Sequence, residues 1–220
     1  MVLAGIGFIL TIGVFLLSTG ARGPFPLAGR SQEIPNPETG SSRRAALIGM
    51  YLALLSILMF FAAFSVVMFA RRGTSDDWVS LPLPDILWIN TVLLVASSGC
   101  LEWARRSLHR GHREVFNFCW TAGVLLGVGF FFGQYTAWSE LLKDGFYINS
   151  GPSSSFFYMI TVAHALHLSG GLVCLLYVEF EALRFRLGPA KRTFVDVSRN
   201  YWHFMGAIWV YVILLFQFWG

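Results

Sequence analysis

The chain has 220 residues, of which 55% are hydrophobic and only 13% charged. A soluble domain carries about 25% charged residues, so this composition is that of an integral membrane protein, and its apolar blocks of about 16 to 26 residues suit spanning helices and not the alternating strands of a barrel. The net charge of +4 comes from Arg clusters beside those blocks, and with no soluble domain left over, nucleic acid is not expected as a partner.

The first block, Val2 to Leu17, has no Lys or Arg before it. It reads as a first transmembrane helix and not as a signal peptide. Gly23 to Ser42 is rich in Pro, Gly and Ser, a composition that makes a linker or surface loop. Ala45 to Ala70 is the second helix, long enough at about 39 Å to span with tilt. Pro82, Pro84 and Asp85 open the third, which runs to about Trp103. The fourth runs from about Asn117 to Trp138, and Gly123, Gly127 and Gln134 share one of its faces. Small residues there let a neighbour approach, and a Gln on the same stripe can bond across the contact. Phe156 to Phe180 is the fifth helix, and Trp202 to the end of the sequence the sixth.

The sequence thus predicts an all-α, polytopic transmembrane bundle of six spans. An N-terminal helix lies within 1–20, a linker loop over 21–44 and a five-helix bundle over 45–220. The loops Glu102 to Glu114 and Glu181 to Arg199 are rich in Arg and Lys, whereas Ser139 to Ser155 is not. By the positive-inside rule the first two are cytoplasmic, which puts both termini outside. Arg71 and Arg72 then fall on the outer side against the rule, offset by Asp76 and Asp77.

His164 and His167 stand about 60° apart on one face of the fifth helix, with Thr161 and Gly171. An ionisable side chain at membrane depth is a functional-site hypothesis. A metal or bis-His haem site needs further ligands, yet His203 belongs to the opposite end of the bundle. Packing histidines, satisfied by interhelical hydrogen bonds or lipid headgroups, are therefore expected. Cys100, Cys119 and Cys174 fall in apolar blocks without CxxC spacing and read as small hydrophobes. No nucleophile-base pair, phosphate loop or zinc motif is evident, and no catalytic, metal or cofactor-binding residue is expected. Aromatic residues make up 16% of the chain, which suits interface belts and core filling, or a lipid-lined cleft.

Four stretches carry a resemblance. Ser155, Phe157-Tyr158, Thr161, His164, Leu166-His167 and Gly171 are similar to the SxFFxxTGxHxLHxxxG signature of subunit III of haem-copper terminal oxidases. Leu87-Trp88-Ile89-Asn90-Thr91 with Ser97-Ser98 resembles that family's LWxNTxxLxxSS helix, and Leu126-Gly127 with Phe130 and Gln134 its LGxxFxxxQ helix. Tyr201-Trp202-His203-Phe204, Trp209 and Trp219-Gly220 resemble its YWHFxDxxW…WG ending. The resemblance covers about residues 46–220.

It implies a bundle without redox metal that packs against oxidase subunit I and other subunits, binds membrane lipid in a cleft, and supports proton uptake by an oxidase that reduces oxygen and pumps protons in aerobic respiration. Haem and copper belong to the partner subunits. A phospholipid is the ligand implied for this chain, with Gln134, His164, His167, Trp202 and His203 as lipid or subunit-packing positions. The location implied is a bacterial cytoplasmic (inner) membrane. The sequence departs from the family where Ile57 replaces a buried Glu, Ala137 a carboxylate of some members, Gly206 an Asp and Val162 a Gly. The Val2 to Leu17 helix has no counterpart and is expected to dock to another subunit. Other readings are an accessory subunit of a quinol oxidase or of nitric oxide reductase and, more remotely, a bis-His haem or quinone-binding membrane protein.

Overall fold

The computed structural model describes residues 37–74, 78, 81–184 and 189–219. The predicted helix over Val2 to Leu17 lies outside them, as does most of the 21–44 linker. The chain divides into two units, Met1–Ala46 and Leu47–Gly220, and the contacts described below lie within the second. Among the described residues five helices are found: α1 (Pro37–Thr74), α2 (Ile86–His109), α3 (Arg113–Lys143), α4 (Pro152–Leu183) and α5 (Pro189–Trp219). All five are long and apolar enough to cross a membrane.

Most of the predicted boundaries move outward, and two helix starts move furthest. Helix α1 begins about two turns before Ala45, inside the stretch read as linker, and α5 begins well before Trp202. Most of the polar stretch Glu181 to Arg199 is therefore helix. Its charges mark where the helix leaves lipid, not where it stops.

The turns follow from glycine. Gly111 and Gly145 take positive φ values of 80° and 85°, conformations open to a residue without Cβ. After α2, Gly111 N bonds Leu108 O at 3.2 Å and His112 N bonds Ser107 O at 3.0 Å. After α3, Gly145 N bonds Leu142 O at 3.3 Å and Phe146 N bonds Leu141 O at 2.9 Å. Both are Schellman closures, which satisfy the last carbonyls of a helix while the chain reverses. Pro152 then opens α4, where its missing N–H costs nothing.

Helices in lipid gain little from hydrophobic exclusion and are held by close packing and hydrogen bonds. Glycine supplies the packing here. A Cβ at Gly123 would lie 2.9 Å from Leu101 atoms, and one at Gly133 would run into the Asn90 amide. Helices α2 and α3 are accordingly the most closely packed pair. Helix α1 meets the rest through side chains: Phe64 packs on Phe156 at 5.4 Å, and Tyr211 donates to Ser65 Oγ at 2.8 Å.

Candidate functional site

Residues from all four sequence stretches meet in the interior, where α2, α3, α4 and α5 pack together. Three indoles organise it. Trp202 Nε1 donates to Ser97 Oγ at 3.1 Å, and Ser97 Oγ donates to the Gly123 carbonyl at 2.7 Å. Trp209 Nε1 donates to Thr91 Oγ1 at 3.1 Å, which donates to Leu87 O at 2.8 Å. Trp138 Nε1 donates to Thr161 Oγ1 at 3.2 Å, which donates to Phe157 O at 2.7 Å. In each case one hydroxyl both accepts and donates, so an indole N–H and a hydroxyl are satisfied together without water.

Trp202 is the centre of this arrangement. It is fully buried, and its ring lies where Gly127 and Gly171 have no side chain. A Cβ at Gly127 would stand 2.7 Å from Trp202 Cζ2, and one at Gly171 3.3 Å from Trp202 Cε3. One side chain of α5 thus touches α2, α3 and α4. Next to it, the Tyr201 hydroxyl donates to His167 O at 2.9 Å.

The two histidines of α4 do different things. His164 is completely buried and neither ring nitrogen has a hydrogen-bond partner. Three rings from three other helices surround it instead: Phe61 at 6.2 Å, Phe130 at 6.1 Å and Trp209 at 5.1 Å between centroids. The expected interhelical hydrogen bond is thus replaced by aromatic contact at His164. His167 is half-buried, packs 6.1 Å from Phe60 and from Phe61, and donates from Nδ1 to Ala163 O in its own helix at 2.7 Å. Gln134 is buried in the same region with both amide atoms unpartnered, as are those of Asn90.

His203 stands apart, as its place in the sequence predicts. Its Nε2 lies 4.0 Å from Glu102 Oε2 in a charged network between α2 and α5. There Glu102 pairs with Arg199 and, at 3.0 Å, with Arg106, while Arg105 pairs with Asp196 at 2.7 Å. Sequence reasoning missed this network because it read Glu102 and Asp196 as loop charges. Only the helical extent of α5 brings them together. It also missed the Thr121 Oγ1 to Glu179 Oε1 bond of 2.5 Å between α3 and α4. Among the described residues, no three His, Cys, Asp or Glu side chains converge as metal ligands would.

The model of the family "Cytochrome c oxidase subunit III" matches residues 38–220. The chain belongs to that family. A Mycobacterium leprae protein named probable cytochrome c oxidase subunit 3 is 29% identical over 175 residues, covering 78% of this chain and 86% of its own. The Nocardia farcinica protein of the same name is 29% identical over 167 residues, 74% of this chain and 82% of its own. Cytochrome c oxidase subunit 3 of Rattus norvegicus is 27% identical over 182 residues, 78% of this chain and 69% of its own. As a member of the subunit III family, the chain is a multi-pass membrane subunit of a haem-copper oxidase complex.

The positions where the sequence departs from the family pattern have clear surroundings. Ile57 and Ala137 are buried. An apolar side chain at either position avoids burying a carboxylate in a lipid-embedded interior. At Gly206 a Cβ would meet Ser98 Oγ at 3.7 Å, an ordinary contact.

Proposed function

We propose that this chain is a cofactor-free, non-catalytic third subunit of a proton-pumping cytochrome c oxidase, and that it supports the catalytic subunit in aerobic respiration. The observation that carries the reading is the packing of His164. Phe61, Phe130 and Trp209 occupy the surroundings of its imidazole, and His203 is engaged with Glu102. This favours histidines that tie helices together over ligands to a haem or quinone. Gln134, His164, His167, Trp202 and His203 are then packing positions that shape the faces offered to lipid and to neighbouring subunits. Exposed Leu52, Leu55, Met59 and Val66 on α1, and Trp88, Ile89, Val92 and Val95 on α2, supply apolar faces for both.

The location is a bacterial inner membrane. The basic stretches Glu102 to Glu114 and Glu181 to Arg199 mark the cytoplasmic side, and a helix over Val2 to Leu17 places both termini outside. Haem and copper reside in subunit I and its partners, and a bound phospholipid is the one small ligand proposed for this chain.

The test is mild solubilisation of the native membrane with an affinity tag on this chain, followed by identification of the co-purifying subunits. The expected result is a haem-bearing complex that oxidises reduced cytochrome c, with no Soret band when this chain is isolated. Oxidation of quinol alone, or nitric oxide reduction, assigns it to a quinol oxidase or a nitric oxide reductase. A haem band in the isolated chain overturns the reading.

A further inference from the structure

Glu102 of α2 is approached from α5 by two basic side chains one helical turn apart. Arg199 Nη1 donates to Glu102 Oε2, and His203 Nε2 lies 4.0 Å from the same oxygen. The other carboxylate oxygen accepts from Arg106 Nε at 3.0 Å. One carboxylate therefore already serves two permanent guanidinium charges before His203 carries any. Arg199 and His203 stand at i and i+4 on α5, where like charges repel. Asp196, the only carboxylate on α5, is held by Arg105 at 2.7 Å. The remaining helices bring no countercharge: α1 has no charged residue between Arg44 and Arg71, α3 none between Glu114 and Glu140, and α4 none before Glu179, which is bonded to Thr121. His164 and His167 of α4 lie against Phe61 of α1. The His203 side chain is 34% exposed, so a proton from solvent can reach it.

We propose that His203 makes this junction an acid-sensitive latch between α2 and α5, closed while the imidazole is neutral and loosened when it takes up a proton. Imidazoles change charge within about pH 8 to 5, above the ordinary range of carboxylates. At the upper end of that window Arg199 alone holds Glu102 Oε2, and the tie between the helices is complete. At the lower end three cations surround one carboxylate. The excess positive charge falls on one face of α5, between Arg199 and His203, and the two compete for a single oxygen. The tie is thus strongest when His203 is neutral and weakens as pH falls through its titration.

The experiment uses the whole complex in mild detergent and measures how fast this subunit is shed at one temperature, at about pH 8 and about pH 5.5. Wild type is expected to shed about twofold faster at the lower pH, the scale set by like charges one helical turn apart. His203→Gln cannot take up a proton and should lose that acceleration. Arg199→Gln should lose it as well, because Glu102 Oε2 is then free to accept protonated His203. His109, His112, His164 and His167 are intact in both variants, so their titration cannot produce the difference. Each variant is compared with itself across pH, which separates the latch from a general loss of stability. The proposal is overturned if wild type shows no acid response, if acid slows its shedding, or if either variant keeps the full wild-type response.

Discussion

Trp202 of α5 and Gly127 of α3 occupy a single space, the indole filling the volume that any side chain on residue 127 would need. Substitution at either position tests the same contact from opposite sides. Gly127→Ala forces a methyl against ring atoms 2.7 and 2.9 Å away, and overpacking of this kind costs about 1–3 kcal/mol. Trp202→Ala leaves a cavity among α2, α3 and α4, for which about 3 kcal/mol is expected, the lower end for a large aromatic because lipid removes much of the transfer contribution. Trp202→Phe keeps most of the filling and loses the Ser97 bond, a change of roughly 1 kcal/mol. Thermal retention of the subunit on the complex in detergent should rank the variants wild type, Trp202→Phe, Gly127→Ala, Trp202→Ala. Gly99→Ala is the control, since nothing lies within 4 Å of a Cβ there, and it should match wild type.

A second expectation concerns His164. A buried polar group without a partner carries a desolvation cost, so an apolar side chain of similar size removes that cost and breaks no hydrogen bond. His164→Leu should therefore retain the subunit as well as wild type, to within about 1 kcal/mol, with the haem spectrum of the complex unchanged. His164→Ala empties the space between Phe61, Phe130 and Trp209 and should lose about 2 kcal/mol or more. Equal loss in both variants, or a changed haem spectrum, would argue that the imidazole nitrogens bind something.

Much of this interior was legible in the sequence, for reasons that can be named. Gly123, Gly127 and Gln134 fall on one face by helical phase alone, and all three are buried. His164 and His167 share a face of α4, and both contact α1 through Phe61. What phase cannot reveal is which neighbour fills a gap. That Trp202 sits against Gly127 and Gly171 depends on how α5 crosses α3 and α4. The aromatic enclosure of His164 was hidden in the same way, because Phe61, Phe130 and Trp209 come from three helices far apart in the chain. The start of α5 was misjudged because Asp196, Arg199 and their neighbours interrupt hydropathy without interrupting the helix.

The Asn90 and Gly133 contact gives a third prediction. Gly133→Ala drives a methyl into the Asn90 amide and should destabilise the α2–α3 pair by about 1–3 kcal/mol. Asn90→Ala makes room for that methyl and removes two unpartnered polar atoms as well. The double variant should therefore be more stable than Gly133→Ala alone, a non-additivity of at least about 0.5 kcal/mol expected of residues in contact. Additive losses would mean that the amide can turn aside at no cost.

The charged network between α2 and α5 gives the last. Arg199 is mostly buried, its side chain 14% exposed against 27% for Glu102, so removing the carboxylate deprives a largely buried guanidinium of its charged partner. Glu102→Gln is expected to cost about 1–3 kcal/mol, the range for a hydrogen bond to a charged group. Water reaching the exposed part of Glu102 holds the loss below that of a fully buried pair. Glu102→Gln with Arg199→Gln removes both charges and should recover part of the loss, since the one charge left without its carboxylate is that of Arg106, whose side chain is 62% exposed. Arg105→Gln serves as comparison: its pair with Asp196 is more exposed, at 32% and 25%, and the change should cost less than about 1 kcal/mol. A double-mutant cycle on thermal retention of the subunit measures the coupling. If Glu102→Gln and Arg199→Gln prove additive, the pair seen between α2 and α5 does not contribute to holding the two helices together.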